Sequence, residues 1–63
     1  MPTYRAAPTM TCHAPAKAFR NAVAALEYAR DAADGFRVGY SVYRVLAGCL
    51  LRLWTYYPTD QRA

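Results

Sequence analysis

A chain of 63 residues holds one domain at most, at a size where a single core barely offsets chain entropy and some further staple is needed. Two cysteines exclude a disulfide framework, 56% hydrophobic content with 14% aromatics excludes a disordered chain, and the net charge of +4 comes from scattered basic residues with no contiguous run. Oligomerisation is the remaining common staple, so self-association into a dimer or tetramer is expected.

The chain opens Met-Pro-Thr-Tyr-Arg, without the charged-then-apolar start of a secretory signal, and the expected setting is cytoplasmic with reduced thiols. Residues 1–14 carry Pro2 and Pro8 and read as an extended segment, with the alternation Thr9-Met10-Thr11-Cys12-His13 suited to a short strand or ordered tail. Pro15 suits the first turn of a helix, where its missing N–H is no loss. From there to Asp34 the pattern is helical. Phe19 centres an apolar face with Ala16, Ala22, Val23, Leu26 and Ala33, widened by Ala18, Ala25, Ala29 and Ala32, while Lys17, Arg20, Asn21, Glu27, Tyr28 and Asp31 lie opposite.

Gly35 falls where a left-handed helix C-cap belongs, and Asp31 and Asp34 would favour the positive N-terminal end of a second helix folded back on the first. A continuous helix through Gly35 and Gly39 is the competing arrangement. The second helix, about 36–57, ends before Pro58, and residues 58–63 form a polar tail. On its wheel Val38, Val42, Val45, Leu46, Cys49 and Leu53 would sit on the alanine seam of the first helix. Tyr40, Tyr43, Ala47, Leu50, Leu51 and Trp54 make a second apolar face that one hairpin cannot cover, with the aromatics enriched at protein interfaces. The expected fold class is therefore all-α: an antiparallel two-helix hairpin, 15–34 and 36–57, with an extended N-terminal segment, completed by oligomerisation.

Chemistry-bearing constellations are sparse. Cys12, His13 and Cys49 are too few for a structural zinc site, adjacent Cys12 and His13 would point to opposite faces of an extended segment, and Cys49 reads as a small buried hydrophobe. A disulfide from Cys12 to Cys49 would need the N-terminal segment to double back. Arg30 interrupts the apolar arc of the first helix, where it would snorkel or pair with Glu27 or Asp34, and Tyr28 is expected as a single exposed aromatic. No catalytic, metal or nucleotide motif is present, so the expected activity is non-enzymatic and free of cofactors.

The leading expectation is a small accessory protein, a regulator or inhibitor of an unidentified partner protein, acting through the aromatic face; a phage or mobile-element origin would suit such a size. The alternative is a basic nucleic-acid-binding protein using a stripe of Arg37, Arg44 and Arg52, with Ser41 and Thr55 adding hydrogen bonds. A membrane-associated subunit comes third, because Arg44 and Arg52 lie inside the only stretch of spanning length and each costs about 2.5 to 3.5 kcal/mol near a bilayer centre.

Overall fold

The computed structural model describes residues 3–10 and 13–59. Over these the chain forms β1 (Thr3–Pro8), β2 (Lys17–Phe19), α1 (Ala22–Phe36), β3 (Tyr40–Leu46) and β4 (Cys49–Tyr56). The strands make one antiparallel sheet in the order β2-β1-β3-β4, and α1 packs on one of its faces. This corrects the all-α expectation at both predicted helices.

The first helix begins later than expected. Lys17, Ala18 and Phe19 pair with Ala6, Arg5 and Tyr4 as an edge strand. The helix starts at Asn21, whose Oδ1 accepts from the backbone N–H groups of Val23 at 2.7 Å and Ala24 at 3.3 Å, the bonding that makes asparagine a preferred N-cap. It also runs past Gly35, and Arg37 takes the left-handed capping position at φ 57. Asp34 is therefore a residue of α1, and its Oδ1 accepts from both the backbone N–H and the hydroxyl of Thr59, at 2.7 and 2.6 Å. With Pro58 fully buried, the first part of the expected polar tail is bound to the helix end.

In place of a second helix, residues 40–56 form a β-hairpin closed by the two-residue turn Ala47-Gly48, with Leu46 opposite Cys49 and Gly48 at φ 83. Two facts favour strands. Val42, Tyr43, Val45, Trp54, Thr55 and Tyr56 are β-branched or aromatic and lose rotamer freedom in a helix, and a mid-helix Gly48 would cost about 1 kcal/mol relative to alanine. The register slips by one residue between Val42 and Tyr43, where Leu53 is the extra residue of a bulge in β4.

The core is thin and lies at one end of the sheet. Ala25, Ala29, Ala32 and Ala33 bring α1 down on Ala6, Tyr40 and Val42, all buried. Alanines allow close approach, and Tyr40 fills the remaining depth, its hydroxyl donating to the Pro15 carbonyl at 2.7 Å. Tyr28, expected on the solvent face, instead packs between Phe19 and Tyr40, with ring centroids at 5.3 and 6.1 Å. Lys17 Nζ sits 5.6 Å from the centroids of both the Phe19 and Tyr28 rings. Conversely Val23, assigned to the apolar face, is 61% exposed, and Arg30 is exposed with its Nε 3.8 Å from Asp31. At the same end of the sheet, a Cβ on Gly39 would come within 2.9 Å of Thr9 Oγ1, and the Gly39 carbonyl accepts from Thr9 N–H at 2.8 Å. Glycine is what lets the two segments close there.

Candidate functional site: the tip of the β3–β4 hairpin

Along β3 burial falls from end to end. Tyr40, Ser41 and Val42 are buried, Tyr43 is half-buried, and Arg44, Val45 and Leu46 are exposed. β4 runs the other way, exposed from Cys49 to Trp54 and half-buried at Thr55 and Tyr56. The hairpin thus projects beyond the helix, and the molecule measures 35 Å along its longest axis.

Cross-strand partners share a face, so the register assigns each side chain. On the helix side of the projecting part stand Arg44, Leu46, Cys49, Leu51 and, nearer the base, Trp54. Val45, Leu50 and Arg52 stand on the other side with Tyr43, and Leu53 occupies the bulge. Val45 and Leu46 are 39% exposed, Leu53 is 40%, Leu50 and Leu51 are 50%, and Trp54 is 59%. Both faces of the tip are apolar. The Trp54 ring is supported from one side by Tyr56, centroids 6.4 Å apart.

The predicted partner-binding set is only partly brought together. Tyr40 is fully buried in the core and Tyr43 lies on the sheet face away from the helix, so no single aromatic face unites them. Ala47 is in the turn. Leu50, Leu51 and Trp54 are exposed on β4, Leu50 on one face and the other two on the opposite one. The set meets around the hairpin because its two strands are adjacent, not through helical spacing. Val45, Leu46 and Leu53, assigned to a buried seam, belong to the exposed tip, and so does Cys49, which is exposed instead of buried. Strand-forming residues on both sides of Ala47-Gly48 were the available signal for this placement.

The arginine stripe is dispersed. Arg37 caps α1, Arg44 faces the helix side and Arg52 the other side. A different basic row exists on the face away from the helix, where the register aligns Arg5, Tyr43 and Arg52 across β1, β3 and β4. Glu27, Asp31 and Asp34 all lie on α1, and the strands contain Arg5, Lys17, Arg44 and Arg52 with no acidic residue.

Among the described residues no three of His, Cys, Asp and Glu come together as a metal set, and no helix is long and apolar enough to cross a membrane. Cys12, and with it the imagined link to Cys49, lies outside the described residues; His13 is exposed. The surface depressions are open and shallow, such as the one bounded by Asp34, Arg37, Pro58 and Thr59. The molecule is therefore a two-layer ββαββ unit whose distinguishing feature is an uncovered apolar hairpin. No protein-family model matches the chain, and no curated protein or solved structure matches it significantly.

Proposed function

We propose that this chain is a small, non-enzymatic protein-binding accessory protein, a regulator or inhibitor that docks through the tip of its β3–β4 hairpin. One observation carries the reading: large apolar side chains from Val45 to Trp54 are exposed on both faces of the projecting part of the hairpin, whose base alone is covered by the helix. Contiguous apolar surface of that kind marks interaction sites in folded proteins, and a supported tryptophan is the residue type most often found at the energetic centre of an interface. Edge strand β4 adds main-chain donors and acceptors that an extended partner segment can pair with. The test is site-specific photo-crosslinking in the native host, with the reactive side chain at Leu50 or, as a control, at the equally apolar and exposed Val23 on α1. Discrete protein adducts from Leu50 and none from Val23 are expected; identical patterns from both sites, or none from Leu50, would end this reading.

A second reading, nucleic-acid binding, draws on the Arg5–Tyr43–Arg52 row and the acid-free strands. Arginines flanking an aromatic can hold phosphates while a base stacks on the ring. If it holds, Arg5→Gln with Arg52→Gln lowers the salt dependence of binding to single-stranded nucleic acid by about 1.4 units on a log–log plot.

A further inference from the structure

We propose that two copies of this chain join edge to edge along β4, about a two-fold axis perpendicular to the sheet, into one continuous antiparallel sheet with both helices on the same face. The proposal rests on the reading of the hairpin as a protein-binding surface and names its occupant: a second copy.

Four observations lead there. The sheet ends in β4 on one side and in the three-residue β2 on the other, so β4, with eight residues, is the long edge. Natural edges are normally blunted by charge, proline, a bulge or shortness, and β4 has its bulge at Leu53. The stretch Cys49-Leu50-Leu51 that precedes it has none of these, and the only charge on β4 is Arg52.

A strand that pairs antiparallel with its own copy must do so about an axis perpendicular to the sheet. That operation keeps each residue on its original face, so only registers that set residues of like facing opposite one another are allowed. Every axis through a residue meets this condition; one through Leu50 overlaps only the three residues next to the turn, whereas one through Leu51 overlaps five, from Cys49 to Leu53. It sets Leu51 against Leu51 and Leu50 against Arg52 of the other copy. An axis through Arg52 would set the two guanidinium groups against each other, which like-charge repulsion disfavours.

The exposed fractions of Val45, Leu46, Leu50, Leu51, Leu53 and Trp54 amount to on the order of 500 Å² of surface per chain, near the upper end for an isolated monomer. Pairing along the edge draws on the part of this surface that β4 itself carries, Leu50, Leu51, Leu53 and Trp54. The monomer's own core, alanines with one valine and one tyrosine, is small for a free-standing domain, and oligomerisation is a usual remedy at this length. Joined through Leu51, the two Leu51 side chains meet on the helix face, and Leu50 gains Arg52 of the other copy as a neighbour on the opposite face.

Sedimentation equilibrium across a nanomolar-to-high-micromolar series tests this. The expected mass at the upper end is twice the 7.1 kDa of one chain. Leu50→Lys and Leu51→Lys should each shift the association at least tenfold weaker with an unchanged circular dichroism spectrum, while Val23→Lys stays dimeric. The register has its own readout: with Cys12→Ser and Cys49→Ser in place, Leu51→Cys should oxidise to a disulfide-linked dimer and Val23→Cys should not. A monomer at every concentration, a dimer indifferent to both lysine substitutions, or equal cross-linking from residues 51 and 23 would overturn the proposal. If the chain is monomeric yet Leu50 still yields its discrete adducts in the host, self-pairing fails and the protein-binding reading stands; loss of the adducts as well removes both.

Discussion

The two ends of strand β3 share similar residue types and have opposite fates. At the first end Tyr40 and Val42 lie fully buried beneath an alanine face of α1, and the Tyr40 hydroxyl is bonded to the Pro15 carbonyl. At the other end Leu46 is exposed because the helix does not extend over it, and Val45 because it stands on the sheet face that carries no helix. Hydropathy does not decide burial here: on the helix face it follows the reach of a fifteen-residue helix, and polar Ser41 is buried while Val45 is not. The covered end carries the core; the uncovered end is open to solvent on both faces.

Substitutions at the covered end should therefore unfold the chain, and those at the tip should leave the isolated fold nearly untouched. The largest effect is expected from Tyr40→Ala, which empties the deepest side chain of the core and leaves the Pro15 carbonyl without its donor; a loss of about 3 to 5 kcal/mol, the range for large aromatic truncations, would leave little native protein in a urea titration. Gly39→Ala comes next. Its Cβ would meet Thr9 Oγ1 at 2.9 Å and the Tyr57 ring at 3.2 Å, and forced packing of this kind costs about 1 to 3 kcal/mol, readable as a lowered urea midpoint with an unchanged slope.

Asn21→Ala removes the acceptor of two helix N–H groups and should cost about 1 kcal/mol, with Asn21→Asp restoring most of it. The smallest effect belongs to the tip. Trp54→Ala, followed at a chain concentration low enough to exclude association, should change unfolding free energy by no more than about 0.5 kcal/mol, the range for surface positions. A loss comparable to that of Tyr40→Ala would erase the distinction between the two ends.

Part of this architecture is readable in the residues. Ala25, Ala29, Ala32 and Ala33 recur at helical spacing and are the face that α1 buries, and Asn21 is a better helix start than Pro15 by capping chemistry alone. The surplus of apolar surface after residue 38 is likewise visible. The hairpin was hidden for a specific reason. Because both faces of the tip are apolar, residues 38–57 lack the in-out alternation by which a strand is recognised, and their few polar residues coincide with a helical stripe. Short apolar runs fit either period, and β propensity with Gly48 was the only local evidence for strands.

What the sequence determined by itself is composition-driven: a short domain, an alanine-faced helix, an excess of aliphatic and aromatic surface near the C-terminal end. The tertiary structure decided which of those side chains are covered. Phe19 left the helix because Lys17–Phe19 pairs with β1, Tyr28 turned inward because Phe19 and Tyr40 flank it, Leu51 and Trp54 stayed outside because α1 does not cover them, and Leu50 because it stands on the face without a helix. Each of these outcomes depends on contacts between residues far apart in the chain, and the free energy of such contacts is set by the shape of the assembled sheet and helix, which no local pattern of residues contains.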